Sequence, residues 1–334
     1  MPRRLIDVGG QKPLLDVASY ARPGPGRRDR LSQDEIELIE RTVRRTPEVM
    51  VKVLSRGGQD LKAVARHIAY LNRGGDVEIE TDDGQRLSGK GVEKQLLEDW
   101  DLDLEERRTG GIEYWSRRAP PKLVHKLMFS MPPGTSPGKV LAAAKNFARE
   151  QFGLKHRYAM VLHTDEPHPH VHVVVKAVSE QGERLNVRKA TLREWRTQFA
   201  RHLRTVGVAA NATERSVRGA SRPQKRDGIY RADLRGESRR VRDRTESIAA
   251  QLARGELNRE PGKTTLIVTR RAVERGWHAV ADILIRQGFP EFALQIRQFM
   301  SRMEPPRTEN ETLAAETLDR RHRGVVSSGR VLVR

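Results

Sequence analysis

The stretch HTDEPHPHVHVVVKA, residues 163–177, places four histidines within ten positions, next to a β-branched run. His170 and His172 are two residues apart on a predicted strand, so their side chains leave the same face. His163 ends the preceding predicted strand, and the turn TDEPHP lets the two strands pair antiparallel. Such pairing can bring three imidazoles to one point, a common way to hold a divalent metal. The alternative is a half-buried strand whose histidines hydrogen bond within a loop.

Two polar residues of the turn have separate expected roles. His168 lies between Pro167 and Pro169, and we assign it to the turn that positions the other three histidines. Asp165 has two equally open interpretations. It can orient an imidazole or accept a proton, or it can cap the turn through its own backbone.

The search for a nucleophile starts from the tyrosines, which are Tyr20, Tyr70, Tyr114, Tyr158 and Tyr230. Tyr70 lies on a predicted helix, and at about 100° per residue it points away from the apolar stripe that begins at Leu61. Arg66 and Arg73 are near it at helical spacing. An exposed phenol beside cationic side chains can meet a phosphodiester, although an ordinary surface tyrosine fits the same pattern. Tyr114, in GGIEYWSRR, is the second candidate.

A family resemblance rests on these two segments. HTDEPHPHVHVVV resembles the third motif, His-x-Asp-x-x-x-Pro-His-x-His, of the MobA/VirD-type conjugative relaxases, which belong to the HUH endonucleases. The resemblance implies that His163, His170 and His172 are the metal ligands. HIAYLNRGG is similar to the first motif of the same enzymes, in which a helix carries the nucleophilic tyrosine. Tyr70 takes that place here.

Two further segments agree with this family in order and spacing. LMFSMPPGTSP resembles the second motif, which implies that Ser130 or Thr135 contacts DNA 3′ to the nick, whereas such runs are more often simple turns. NATERSVRG resembles the segment that closes the catalytic domain in a member of the group. The resemblance covers about 47–220, leaving some 45 preceding residues and the C-terminal part unmatched.

The order of predicted elements gives an α+β fold with a largely antiparallel sheet and flanking helices. We expect four regions: a basic N-terminal arm with one short helix at 1–45, the relaxase (HUH nuclease) domain at 46–220, a smaller helical region at 221–303, and a disordered basic tail at 304–334.

Composition restricts the partners. The formal net charge of +19 predicts attraction to a polyanion, with nucleic acid favoured over an acidic membrane surface. There are no cysteines, which excludes thiolate metal sites and disulfides and leads us to expect a cytoplasmic protein. No apolar segment approaches the roughly 20 residues that span a bilayer, so we expect no membrane insertion.

Several basic segments are predicted to follow DNA phosphates. They are Arg66 and Arg73 near Tyr70, Arg193 and Arg196 within LREWRTQFARHLRTVG, an RTGG loop at 108–111, and the linker at 214–228. Trp115 is a candidate for stacking on a base, against the alternative of local packing.

The resemblance implies a site- and strand-specific relaxase that nicks the transfer origin of a plasmid or integrative element. It would form a 5′-phosphotyrosyl intermediate, pilot the strand during conjugation and mobilization, and reseal it. The implied cofactor is Mg²⁺ or Mn²⁺, and three imidazoles also suit Zn²⁺. The implied partners are single-stranded DNA at the transfer origin, accessory relaxosome proteins and the type IV secretion coupling protein.

Two alternatives remain. In a rolling-circle replication initiator or transposase of the HUH class, the histidines precede the tyrosine, whereas Tyr70 precedes the histidines here. A non-enzymatic DNA-binding protein with a structural metal would need the histidines but not Tyr70.

Overall fold

The computed structural model describes residues 15–21, 29–54, 58–113, 121–220, 232–233 and 235–329. The chain divides into two compact units. The described part of the first unit is Arg44–Ala212, and the second unit combines Leu15–Val43 with Thr213–Arg334. Among the described residues, no helix has the length and apolar character needed to cross a bilayer.

Strands and helices are numbered in chain order. The strands are β1 Met50–Leu54, β2 Ile79–Thr81, β3 Arg86–Leu87, β4 Val124–Ser130, β5 Tyr158–His163 and β6 His170–Lys176. The helices are α1 Gln33–Val43, α2 Leu61–Leu71, α3 Val92–Asp99, α4 Leu102–Glu113, α5 Pro137–Phe152, α6 Lys189–Thr205, α7 Arg239–Ala253, α8 Lys263–Arg286, α9 Pro290–Ser301 and α10 Glu309–Gly329.

The first unit is built on one six-stranded sheet in the order β1-β4-β6-β5-β2-β3. Every neighbouring pair is antiparallel, which confirms the predicted α+β class with an antiparallel sheet. The valine run of β6 pairs with β4 on one side and with β5 on the other. Val171, Val173 and Val175 are fully buried, because a central strand covered on both faces excludes water from its side chains.

Different helices cover the two faces of this sheet. Phe147 of α5 and Phe199 of α6 pack with Phe129 of β4 on one face. Ile68 of α2 packs with Val174 of β6 on the other face. Since successive strand residues point to opposite faces, His170 and His172 leave β6 on the α2 face together with Val174. We call this surface the α2 face of the sheet.

Two predictions for the segment between β3 and β4 were wrong. The pattern of VEKQLLEDWDLDLEE predicts a single helix, but the segment forms two, α3 and α4. Asp101 takes a positive φ of 49°, which interrupts the helical backbone just after Trp100. Residues 108–111, predicted to be an RTGG loop, belong to α4.

The second unit corrects the predictions for both chain ends. Val17 and Tyr20 are buried with Trp277 of α8, so the described part of the predicted N-terminal arm belongs to a hydrophobic core. Gly276 permits this packing, because a Cβ there would lie 2.1 Å from the Val17 carbonyl oxygen. These contacts join residues far apart in the chain, and local periodicity cannot reveal them.

At the other end, α10 replaces most of the predicted disordered tail. Leu313 and Ala314 of α10 pack against Ile248 of α7. The Lys263 ammonium also lies 2.7 Å from the Glu311 carboxylate. The sequence did not predict this helix, because charged residues dominate the segment and its apolar residues are few. Thr213–Ala220, predicted to close the catalytic domain, also belongs to the second unit.

Acid should weaken the first unit through His125. Its Nε2 donates to the Leu185 carbonyl at 3.1 Å, while Nδ1 is buried with no hydrogen-bond partner among the described residues. Burial, reinforced by Lys122, lowers its pKa to about 4. The unfolded chain, with an ordinary histidine pKa of about 6.5, therefore binds more protons between these values. Stability should fall as the pH falls through this window, by about 3 kcal/mol from this residue.

Urea unfolding between neutral pH and roughly pH 4.5 tests this expectation. The His125→Asn variant should lose less stability on acidification than the parent protein. His278→Asn, which alters an exposed histidine of α8, is the matched control. Equal pH dependence in the parent and the His125 variant would contradict the assignment.

Candidate active site

Three histidines meet on the α2 face of the sheet. His163 at the end of β5 is directly opposite His170 at the start of β6 in the strand register. His172 follows His170 at the next position on the same face. All three are buried, and each offers one ligand nitrogen within 4.8 Å of the others. The structure therefore brings together the residues that the spacing indicates, and we call them the histidine triad; their role as ligands stays a prediction.

Backbone carbonyls orient two members of the histidine triad. His163 Nε2 donates to the Leu71 carbonyl at 2.8 Å, so the lone pair of the neutral ring is on Nδ1. His170 Nδ1 donates to the His168 carbonyl at 2.9 Å, so its lone pair is on Nε2. Such hydrogen bonds fix the tautomer and the ring orientation of metal-binding histidines. His172 Nδ1 is buried with no hydrogen-bond partner among the described residues.

The electrostatics at His163 and His172 favour neutral imidazoles. Burial lowers the pKa of His163, and it lowers the pKa of His172 to about 3, with further reductions from the neighbouring His163 and His170. A metal ion binds the neutral ring, because its lone pair must be free of a proton. Three imidazole donors in one cluster therefore fit a divalent metal ion.

Tyr70 is the exposed tyrosine of the first unit's described part, with 56% of its surface accessible. It precedes Leu71, whose carbonyl accepts the hydrogen bond from His163, so the end of α2 is attached to the triad. The other described tyrosines are buried: Tyr20 donates to Glu35 at 2.8 Å, and Tyr158 lies in the sheet core. Tyr114 and Tyr230 lie outside the described residues.

Arg73 connects Tyr70 to Asp165. Its guanidinium lies 4.9 Å from the centre of the Tyr70 ring and forms an ion pair with the Asp165 carboxylate. Hydrogen bonding to the Tyr70 side chain, partly offset by desolvation, and attraction to Asp165 raise the pKa of Arg73. Desolvation raises the pKa of Asp165, but attraction to Arg73 and hydrogen bonds outweigh it and leave that pKa lowered. Asp165 is thus an ionised partner of Arg73, while backbone carbonyls orient His163 and His170.

The turn after α2 directs Arg73 toward this site. Arg73 itself has a φ of 54°, Gly74 has 71° and Gly75 has 120°, values that favour glycine. A Cβ on Gly75 would lie 2.6 Å from the Gly89 carbonyl carbon, so the two backbones touch. Helix α2 therefore ends at Leu71, and the chain beyond it packs closely against Gly89.

The predicted DNA-binding residues lie in different places. Ser130 of β4 is opposite His170 in the register and so lies beside the triad. Thr135 is in the turn before α5, where its hydroxyl donates to the Pro132 carbonyl at 2.9 Å. Arg66 is exposed on α2, the helix of Tyr70. These three are all in segments next to the triad or Tyr70.

The remaining predicted contacts are remote from the triad or outside the described residues. Arg193 and Arg196 belong to α6, which packs on the sheet face opposite the triad. Arg193 and Arg196 would contact only DNA that extends beyond the triad to the opposite face of the sheet. Trp115 lies outside the described residues.

Sequence reasoning missed His67 and Lys126. The His67 ring is edge-on to His172 at 6.4 Å between centres, and burial with nearby Lys126 lowers its pKa to about 4. His67 is three residues before Tyr70, a spacing that puts both on one side of the helix, and this spacing could have indicated that His67 is near the site. Lys126 is buried in β4. Lys126 could have been found from the sequence, because it is a charged residue in the middle of the apolar strand pattern KLVHKLMFSM.

Comparison with known proteins relates this site to a described family. Residues 94–207 match the family described as relaxase, MobA/VirD2-like, nuclease domain. This part of the chain is therefore similar to a MobA/VirD2-like relaxase nuclease domain. The matched segment contains the complete histidine triad, while Tyr70 precedes it.

Individual relatives agree with this family. The chain is 24% identical over 222 residues to the T-DNA border endonuclease VirD2 of Agrobacterium fabrum (strain C58 / ATCC 33970), covering 58% of this chain and 46% of the relative. It is 27% identical over 134 residues to the T-DNA border endonuclease VirD2 of Rhizobium rhizogenes, covering 38% of this chain and 30% of the relative. The chain thus spans less than half the length of these curated relatives.

A solved structure described as "Molecular Basis of Vancomycin Resistance Transfer in Staphylococcus aureus" aligns with 51% of this chain and 99% of its own, at 15% identity. Its TM-score of 0.32 is too low to support a common fold.

Removing one triad histidine should abolish tight metal binding. The His172→Ala variant should bind Mn²⁺ more than about 100-fold more weakly, since even disturbing the partners of a metal ligand costs 10- to 100-fold. Isothermal titration calorimetry with metal-free protein measures the change. His168→Ala is the matched control from the same stretch, because the backbone carbonyl that orients His170 is retained. Equal affinities for the two variants would contradict the triad assignment.

Gly75→Ala should destabilise the first unit by about 1–3 kcal/mol, because alanine tolerates neither this φ nor the contact with Gly89. Gly84→Ala provides the control, since Gly84 also has a positive φ of 85° but has open space around a Cβ. Urea unfolding should therefore show a larger loss for Gly75 than for Gly84. A loss at Gly75 no greater than at Gly84 would show that the close approach to Gly89 contributes nothing.

Proposed function

We propose that this protein is a conjugative relaxase that uses Tyr70 to nick one DNA strand at the transfer origin of a mobile element. The observation that carries the proposal is the hydrogen bond from His163 to the Leu71 carbonyl. This bond places the end of the tyrosine-bearing helix against the histidine triad. An exposed phenol, a cationic partner and a cluster of imidazoles that can hold a metal are the groups needed for attack on a phosphodiester.

The histidine triad would hold the metal ion. Mg²⁺ and Mn²⁺ are the candidates that the family implies, and Zn²⁺ is a further candidate because the donors are three imidazoles. A bound divalent metal would withdraw charge from the phosphate oxygens and make the phosphorus more electrophilic.

The protein side chains would perform the nucleophilic step. Tyr70 Oη attacks the phosphorus, the Oη–P bond forms, and the bond from phosphorus to the 3′ oxygen breaks. The 3′ oxygen takes a proton from solvent and leaves as a free hydroxyl. The phenolic proton passes to an acceptor, for which Asp165 is the candidate because Arg73 contacts both Asp165 and Tyr70.

The product is a 5′-phosphotyrosyl bond, which conserves the energy of the broken phosphodiester. A 3′ hydroxyl can therefore attack it later, release Tyr70 and reseal the strand. Until then the protein remains covalently attached to its strand and can pilot it during transfer.

The cellular context follows from the same proposal. The substrate would be single-stranded DNA at the transfer origin, and the net charge of +19 supports attraction to a polyanion. We propose that accessory relaxosome proteins and the type IV secretion coupling protein are partners, and that the protein acts in the cytoplasm. The absence of cysteine agrees with a reducing compartment.

A covalent-adduct assay tests the nucleophile. Labelled single-stranded oligonucleotides from the transfer origin of the host element are incubated with protein and Mn²⁺ or Mg²⁺, then separated in SDS. The parent protein should give an SDS-resistant adduct, and Tyr70→Phe should give none, because phenylalanine lacks the attacking oxygen.

Two further variants sharpen the assay. Tyr158→Phe, which alters a buried tyrosine, should retain the adduct. Tyr114→Phe tests the second candidate nucleophile. An adduct that persists in Tyr70→Phe and disappears in Tyr114→Phe would transfer the role to Tyr114. No adduct with any oligonucleotide would defeat the proposed nicking activity.

A further inference from the structure

Two lysines lie on the α2 face of the sheet beside the histidine triad. In the strand register, Lys52 of β1 is opposite Met128 of β4, and Met128 is opposite His172 of β6. Directly paired residues share a face, so Lys52 is on the face that carries the triad. Lys126 is two positions from Met128 and shares this face. It is a diagonal neighbour of His172, at roughly 7–8 Å between the strand positions.

Lys126 places a positive charge in a largely buried part of the sheet. Only 5% of its surface is accessible, and it forms no ion pair with any residue that the structure describes. Burial lowers its pKa to about 8, with Arg66 and Lys122 adding to the effect and Asp60 opposing it. A lysine with this pKa is still mostly protonated at neutral pH. An isolated buried charge lowers stability unless an anion accompanies it.

The immediate surroundings do not require a lysine for packing. The residues paired with Lys126 on its two sides are Leu54 and Val174, which are both apolar. An apolar side chain of similar length would pack between them at less cost. Lys52 is half-buried, and like Lys126 it forms no ion pair within the described part of the chain. The two positive charges therefore point to an anionic ligand that is bound only during function.

We propose that Lys126, with Lys52, is a binding site for a backbone phosphate of single-stranded DNA next to the phosphate that is cut. The inference rests on the proposed function, since the nick must occur between Tyr70 and the triad. It extends that function by giving the strand a path, from the triad across β4 toward β1. Arg193 and Arg196 do not lie on this path, because α6 is on the opposite face.

DNA binding without cleavage tests the site. In the Tyr70→Phe background, a fluorescent oligothymidine of about 12 nucleotides is titrated at several salt concentrations. Replacement of Lys126 by methionine should weaken binding about tenfold. It should also reduce the steepness of the salt dependence by about 0.7, the value expected for one lost phosphate contact on a single strand. Lys126→Arg should retain both values, because it keeps the charge.

A control and a second measurement separate this site from general charge effects. Lys139→Met removes one charge from α5, on the opposite side of the sheet, and should change neither the affinity nor the salt dependence. Without DNA, Lys126→Met should raise the urea midpoint, because an unpaired buried charge has been removed. If Lys126→Met does not fold, Lys52→Met should still lower the affinity and the salt dependence.

The outcomes are distinct from those of the nicking assay. Salt dependence that is unchanged in the Lys126 and Lys52 variants would overturn the phosphate site, even if Tyr70 forms its adduct. An equal change in Lys139→Met would overturn it too. Loss of affinity in the Lys126 variant together with no Tyr70 adduct would support a phosphate contact at Lys126 and defeat the nicking proposal.

Discussion

The hydrogen bond from His163 Nε2 to the Leu71 carbonyl is the interaction on which the site depends. It joins the end of β5, which carries His163, to the end of α2, which carries Tyr70. The same bond determines which nitrogen of His163 is free for a metal. A shift of one residue along the helix would present a different carbonyl to His163 and would rotate Tyr70 by about 100° relative to it.

The antiparallel register provides the second constraint. The exchange of hydrogen bonds between β5 and β6 puts His163 and His170 opposite each other, and the strand period of two adds His172. A shift of one residue would move this set to the other face, where α5 and α6 form a continuous apolar core. The apolar residues of β4 and β6 prevent that shift. The core on one face therefore maintains the chemical geometry on the other.

Burial keeps some side chains of this site neutral, while ion pairing and hydrogen bonding keep another one charged. Removal from water keeps the His172 and His67 imidazoles neutral, and both have a strongly lowered pKa. Arg73 remains charged through its contacts with Tyr70 and Asp165. Neutral imidazoles, which can bind a metal, and the charged Arg73, which can bind a phosphate, therefore belong to the same site in different protonation states. The buried charge of Lys126 costs stability in the free protein, and a bound phosphate would offset this cost.

Local patterns in the sequence were sufficient for most of the first unit. The alternation of β4, β5 and β6 and the apolar stripe of α2 predicted these elements, because strand and helix periods are properties of short segments. The His-x-His spacing also predicted which imidazoles share a face. The break between α3 and α4 was missed, since it depends on one residue with positive φ, Asp101, that no glycine marked.

Contacts between distant segments required the tertiary structure. The sequence alone determined the histidine spacing, the helix that presents Tyr70, the absence of thiols and the strong positive charge. Only the fold decided that Arg73 pairs with Asp165, that Tyr20 is buried beside α8, and that Lys126 lies on the sheet face of the triad. Each of these facts depends on which segments become neighbours. That choice is made by the packing of whole helices and strands, which local periodicity does not encode.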